Sequence, residues 1–432
     1  MLVTAASPVS EPAQSIQEMS KANSVVLLSH PTGNQNVRNA LRSLVEHDML
    51  AEFWTAMAWN PESKWNKLLP SKLIAKLQRR AFTEAPWARI KCVPWREAIR
   101  LGAESFPLVS SLCSGERPFS VIGMYRNFDG RVAKRMGEIH CDAVYAYEGG
   151  ALQTFRAAKR QAITTLYELP SSHWYWEQQL LLAEAERNPG FAGLLPKLQD
   201  SETHMKWKDE ELLLADVVFV PSQHVRHTLQ GIVPDEKIRV IGYGAPPLRS
   251  RKQALRAPGQ PLKVLFVGSL TQRKGIGYLL DAIDQLGAQA ELTLVGKRFS
   301  ANTRVDEACN RWCWFEAVPH SRVMELMQEA DVLVLPSLAE GCALVVLEAL
   351  ACGLPVVVTP NTGSEEFVRD GCEGFVVPIC HAGAIADRLN TMNRDRELLA
   401  AMSRNAFAAA EARSWKSYRD RWAEAVEAAA CK

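Results

Sequence analysis

The sequence predicts an α/β protein made of two Rossmann-like domains. Three observations carry this. Short Val- and Leu-rich runs alternate with helical patterns along most of the chain, the mark of parallel sheets covered by helices. The alternation breaks once, near residue 250, at a stretch rich in Pro, Arg and Ala. And 432 residues, 47% hydrophobic and 23% charged, suffice for two cores rather than one. The expected organisation is a disordered tail over 1–23, a first domain over 24–245, a linker over 246–261, a second domain over 262–405 and, over 406–432, a last helix.

Composition excludes several classes. A net charge of +2 offers no bulk attraction for nucleic acid, so no such partner is expected. Ten cysteines include no C-x-x-C pair, and the chain reads as cytoplasmic with reduced thiols. Cys309 and Cys313 share a helix face by spacing, but without nearby His or Asp they make a poor zinc site, so no metal is expected. Neither a signal peptide nor a membrane-spanning run is visible.

The first strand is expected in SVVLLSH from Ser24. Pro31, Thr32, Gly33 and Asn34 follow it, then a helix through Val37, Leu41 and Leu44. A glycine at the end of a first parallel strand lets backbone approach a ligand, although a simple turn explains Gly33 as well. Residues 62–82 then interleave Lys64, Lys67, Lys72, Lys76, Arg79 and Arg80 with Trp65 and several leucines. Such a segment lies on an anionic membrane surface or packs its apolar side on the domain; both readings stand. Further strands are expected in CDAVYAYE from Cys141, AITTLYE from Ala162, DVVFVPS from Asp216 and IRVIGYG from Ile238.

The second series starts with LKVLFVGS. Gly268 and Ser269 lead through Arg273 and Lys274 to a helix from Tyr278. Two adjacent cations in a strand-to-helix loop suit a diphosphate, Arg supplying a fork of donors and Lys a compact charge. The glycines Gly268, Gly275 and Gly277 do not make G-x-G-x-x-G, and LTLVGKR ends in Lys297 and Arg298 rather than an acid, which disfavours a nicotinamide dinucleotide. His320 reads as a helix-start residue. Downstream, DVLVLPSLAEGCALVVLEALACGLPVVV, from Asp331 to Val358, reads as strand, loop, helix, turn, strand. Glu340 stands in the loop and Glu348 in the helix; about 12 Å at roughly 1.5 Å per residue puts both on one side. A carboxylate accepts hydrogen bonds from a vicinal diol, and a helix N-terminus offers N–H groups to a phosphate or sugar.

Glu340, seven residues, Glu348, set in PSLAEGCALVVLEALACGLPVVV, resembles the E-x7-E signature of family 4 retaining glycosyltransferases (glycosyl transferases group 1) of the GT-B fold. The resemblance extends over most of the second half, through Thr359 to Pro378 with a short helix starting at Glu366, and to Ser414 and Trp415, where the last helix returns to the first domain. It implies two domains facing each other across a cleft, the first binding the acceptor and the second the nucleotide sugar, with Arg273 and Lys274 on the donor diphosphate near Gly268 and Gly33 across the cleft. It further implies that Glu340 faces the donor sugar, helped by the N–H groups of Gly341, Cys342 and Ala343 with Leu344 beside them, and that Glu348 holds the ribose. One departure stands out: many members carry a His where this chain reads Tyr167, Glu168, Leu169 and Pro170, with His173 beyond, so the role falls to Glu168, to His173 or to neither.

The expected activity is a metal-independent, retaining transfer of a hexose-type sugar from a nucleoside diphosphate to a hydroxyl of a glycan, lipid-linked or small acceptor, Glu340, Arg273 and Lys274 acting on the reacting groups. No cofactor beyond the nucleotide-sugar donor is expected. The location is the cytoplasm, at the inner membrane face if residues 62–82 bind lipid. The alternatives are a nucleotide-sugar epimerase or hydrolase on the same fold, which turns over donor alone, and a catalytically silent scaffold.

Overall fold

Runs such as Val26–Ser29, Val217–Val220, Val332–Leu335 and Val356–Val358 have every residue buried, as strands covered on both faces require. The computed structural model describes residues 23–63, 66, 74, 77–103, 115, 117–196, 201–250 and 259–431. Nearly all of the expected tail, most of the basic segment 62–82 and residues 251–258 of the linker lie outside them.

The strands are β1 (Val26–Ser29), β2 (Leu50–Thr55), β3 (Ile90–Cys92), β4 (Ala143–Tyr147), β5 (Thr164–Glu168), β6 (Val217–Val220) and β7 (Ile238–Val240) in the first domain. The second holds β8 (Leu262–Val267), β9 (Ala290–Val295), β10 (Cys313–Phe315), β11 (Val332–Leu335), β12 (Val356–Val358) and β13 (Gly374–Val376). Their orders are β3-β2-β1-β4-β5-β6-β7 and β10-β9-β8-β11-β12-β13. All pairings are parallel; Leu28 sits opposite Tyr145, and Leu333 opposite both Leu265 and Val356. Chain direction along the sheet therefore reverses between β1 and β4, and between β8 and β11. Ligands bind at such switch points, outside the carboxyl ends of the strands.

One face of the first sheet, with Leu27, Val144, Tyr167 and Val218, packs with Phe128 and Phe155 of the helices Val121–Met136 and Leu152–Lys159. The other face, with Leu28, Tyr145 and Phe219, is continuous with the core of the second domain and with Trp422 of the last helix. The expected boundary at residue 406 falls inside the helix Arg396–Ala412; the crossing comes at Arg413 and Ser414, where the Ser414 side chain caps a new helix, Trp415–Ala430. Ala245 N–H donates to Arg413 O at 2.7 Å, and Trp422 Nε1–H reaches Tyr145 OH at 3.2 Å, so the last helix completes the first domain's core.

Three local expectations change. Residues 365–367 form a single turn rather than a helix start, because the N–H groups of Phe367 and Val368 both close on Ser364 O. Cys309 ends up in the helix Thr303–Arg311 and Cys313 in β10, so they share no helix face. Arg80 of the basic segment turns inward, donating to the buried Glu97 carboxylate at 2.6 Å.

Candidate active site

The site is built at the β8/β11 switch point. After β8, Gly268 adopts φ +152°, and the Thr271 hydroxyl accepts from Lys274 N–H to cap a short 3-10 turn, Gln272–Lys274. Gly275 closes that turn at φ +74°. A β-carbon on Gly275 would stand 2.0 Å from Pro336 O, so only glycine lets the loop after β8 lie against the loop after β11. The two loops are then bonded: Leu338 N–H donates to Arg273 O, and Arg273 Nη1–H to Ala339 O, each at 2.8 Å.

This contact brings three of the sequence-named residues together. Lys274 forms an ion pair with Glu340, and Arg273 Nη1 stands 3.8 Å from the same carboxylate. Glu348, on the helix Leu344–Ala351, is mostly buried and meets His320 Nε2 at 2.9 Å. Ala343 N–H donates to Thr362 O at 3.0 Å, so it is not among the donors offered to a sugar. Burial of Cys342 raises its thiol pKa far above the ordinary range, leaving it protonated. Leu344 opens the helix.

The first domain touches this loop directly. Ser222 Oγ donates to Gly341 O at 2.6 Å and Ser172 Oγ to Glu340 O at 3.1 Å. A β-carbon on Gly341 would lie 1.8 Å from Pro170 O. His224 Nε2 meets Ser172 Oγ at 3.0 Å; burial lowers the pKa of His224 to about 4, so at neutral pH it bonds Ser172 as an uncharged ring. On the helix Trp174–Arg187, Glu177 Oε1 approaches Arg273 Nε at 3.9 Å. Burial raises the Glu177 pKa, and the charge of Arg273 opposes that rise.

Gly33 packs inside its own domain, where a β-carbon would meet Phe82 Cε1 at 2.3 Å. Glu168 accepts from Tyr145 OH and, at 3.1 Å, from Tyr243 OH; burial pushes its pKa up to about 7. His173 is buried with Nε2 3.5 Å from Asp209. Sequence reasoning passed over Glu177, Ser172, Ser222 and His224, since only the tertiary fold brings them beside Glu340 or Arg273. Among the described residues no three His, Cys, Asp or Glu side chains are grouped to share a metal ion, and the cations beside Glu340 are Arg273 and Lys274.

Two parallel sheets of this order, meeting through the loops at their strand ends, define the GT-B architecture. Residues 249–409 match the family described as Glycosyl transferases group 1. The chain is 31% identical to the putative colanic acid biosynthesis glycosyltransferase WcaL of Salmonella typhimurium over 37% of its own length and 43% of that protein's. It is also 31% identical to the amylovoran biosynthesis glycosyltransferase AmsK of Erwinia amylovora, over 35% and 41%. The match thus spans about two-fifths of the length of these curated relatives. Solved structures share the fold more widely. HepE of Anabaena, in complex with UDP and glucose, superposes with a TM-score of 0.62 at 18% identity, covering 94% of this chain and all of that one. Sucrose-phosphate synthase from Thermosynechococcus elongatus gives 0.63 at 18% identity, over 92% and 97%. Among the described residues no helix is long and apolar enough to cross a membrane.

Proposed function

We propose that the protein is a retaining, metal-independent glycosyltransferase that moves a hexose-type sugar from a nucleoside diphosphate to a hydroxyl of a glycan or lipid-linked acceptor. The observation that carries this reading is the ion-paired cluster of Arg273, Lys274 and Glu340 at the β8/β11 switch point, with Glu348 on the helix that leaves it. Arg273 and Lys274 meet the diphosphate and stabilise the charge that develops as it departs. Glu340 accepts from hydroxyls of the donor sugar, and Glu348 from the ribose diol in place of His320. The acceptor oxygen bonds to the anomeric carbon as the bond from that carbon to the diphosphate oxygen breaks, and the acceptor's proton passes to the departing phosphate oxygen. A site shut between the domains limits hydrolysis of the donor. The names of WcaL and AmsK, glycosyltransferases of colanic acid and amylovoran biosynthesis, favour a glycan acceptor.

The positive charge of residues 62–82 supports peripheral contact with an anionic membrane. Co-sedimentation with anionic liposomes, lost on charge reversal at Lys72 and Lys76, is the expected result. The reading as a whole is tested by calorimetric titration of UDP, GDP and ADP into the wild type and Glu348→Ala. One nucleotide binds, and the substitution weakens it about tenfold, the equivalent of about 1.4 kcal/mol. Absence of binding by all three ends the transferase reading; turnover of the sugar donor to a new sugar nucleotide or free sugar, with no use of any acceptor, favours the epimerase or hydrolase instead.

A further inference from the structure

A cavity of about 200 Å³ in the first domain is lined in part by Glu177, whose carboxylate also approaches Arg273. Glu148, Ser172, Trp174, Glu177, Gln178 and Lys208 line it. It sits where ligands sit on a parallel sheet, since Glu148 directly follows β4 and Ser172 lies in the loop after β5. Its walls are fixed. Trp174 is anchored by its Nε1–H, which donates to Asp209 Oδ1 at 2.6 Å, and the Ser172 hydroxyl is tied to Glu340 O. Glu148 and Lys208 stand 3.5 Å apart, both mostly buried.

An indole wall, two carboxylates, a carboxamide and an ammonium offer one apolar face and a ring of acceptors and donors. That combination suits a pyranose, whose C–H groups lie on an aromatic face while its hydroxyls bond outward. The cavity holds one such ring. Its charges select among sugars: with Lys208 beside Glu148 and Arg273 beside Glu177, each carboxylate of the lining already has its cation, and none is left over to offset a uronate or a sugar phosphate.

Resting on the transferase reading above, we propose that this cavity binds the terminal sugar of the acceptor and that this sugar is an uncharged pyranose. Glu177 belongs both to the cavity and to the Arg273 contact, so the acceptor hydroxyl that it holds is the one presented to the donor. That hydroxyl's oxygen forms the new bond to the anomeric carbon, the carbon–diphosphate bond breaks, and the proton leaves with the diphosphate.

The experiment uses the full chain saturated with the nucleotide that it binds. Saturation-transfer NMR and competition titrations compare methyl glucopyranoside, galactopyranoside and mannopyranoside with glucuronate and glucose 6-phosphate, on wild type, Trp174→Phe and Glu148→Gln. At least one neutral glycoside binds the wild type, at least tenfold more tightly than either anionic sugar. Trp174→Phe weakens it about tenfold, and Glu148→Gln narrows the preference over glucuronate, a change of charge selectivity that a merely structural role would not produce. Nucleotide affinity, read separately, stays within twofold in both variants. Equal binding of anionic and neutral sugars, no neutral glycoside bound, or glycoside binding indifferent to both substitutions overturns the proposal while leaving the transferase reading in place. Glycoside binding by a chain that takes no nucleotide overturns the acceptor role and the transferase reading together.

Discussion

Ser222 Oγ donates to the carbonyl oxygen of Gly341 at 2.6 Å, a bond from the first domain into the loop that carries Glu340. The same loop has no room for a side chain at Gly341, because a β-carbon there would meet Pro170 O at 1.8 Å. Gly341→Ala therefore acts between the domains rather than within either. Transfer should fall at least a hundredfold, about 2.7 kcal/mol in the barrier. Small-angle scattering should report a more open particle, with thermal unfolding little changed. Full activity in a variant of unaltered dimensions would show that the contact is dispensable.

Lys274 and Glu340 form an ion pair with each other. Glu340→Gln removes the carboxylate's competition for the ammonium, so affinity for the bare nucleoside diphosphate should rise severalfold. Sugar transfer should fall by two orders of magnitude or more, since the neutral amide accepts more weakly from the donor sugar. Lys274→Met should do the reverse at the first step, weakening the diphosphate at least tenfold while leaving the nucleoside alone unaffected. Calorimetry with the nucleoside, its diphosphate and the sugar conjugate separates these effects. Parallel losses across all three ligands would mean that the pair shapes the loop instead of meeting charge.

Glu168 supplies a pH dependence. Burial raises its folded-state pKa from 4.5 to about 7. The folded protein therefore holds this proton more tightly than the unfolded chain. The associated stability is fully present below about pH 4.5 and is lost as pH rises through about 7. At about 1.4 kcal/mol per unit, the loss relative to Glu168→Gln approaches about 3 kcal/mol above pH 7. Urea denaturation of both proteins at pH 5 and pH 8 measures it. A difference in stability that does not move with pH would place the ionised carboxylate comfortably between Tyr145 and Tyr243.

The fold was legible because its signals are local. Val332–Leu335 and Val356–Val358 are uniformly apolar strands ended by turn residues, Val26–Ser29 is apolar up to its last residue, and the alternation with helical patterns leaves little besides parallel sheets. The strands not visible in advance are β2, which carries Glu52, and β3, β10 and β13, each three residues long and too short for a period to emerge. Arg273, Lys274 and Glu340 could be named because each follows a strand end within a few residues. Glu177 could not. It lies within a helix 96 positions before Arg273 and meets it only because the domains close on one another. Gly33 fits a ligand loop by its place after a first strand, and the sequence does not reveal that Phe82 takes the space that its missing β-carbon leaves.

The helix Trp174–Arg187 presents a second carboxylate to the other domain, two turns beyond Glu177. Glu184 is fully buried and accepts from Gln272 Nε2–H at 2.7 Å and from Tyr278 OH at 2.8 and 2.7 Å. Gln272 in turn accepts from Gly277 N–H at 3.0 Å, so the loop holding Arg273 and Lys274 is braced from the first domain. Glu184→Ala would strand the Gln272 amide, at a cost on the order of 1–3 kcal/mol, and take from the Tyr278 hydroxyl one of its partners, Cys380 being another. The midpoint of urea unfolding should drop accordingly. The Michaelis constant for the sugar donor should rise severalfold with little change in turnover, because the loop loses its position but keeps its charges. Glu184→Gln, whose carbonyl still accepts one bond, should fall between the two. A loss of turnover with an unchanged Michaelis constant would mean instead that Glu184 governs the closure of the domains and not the seating of the diphosphate.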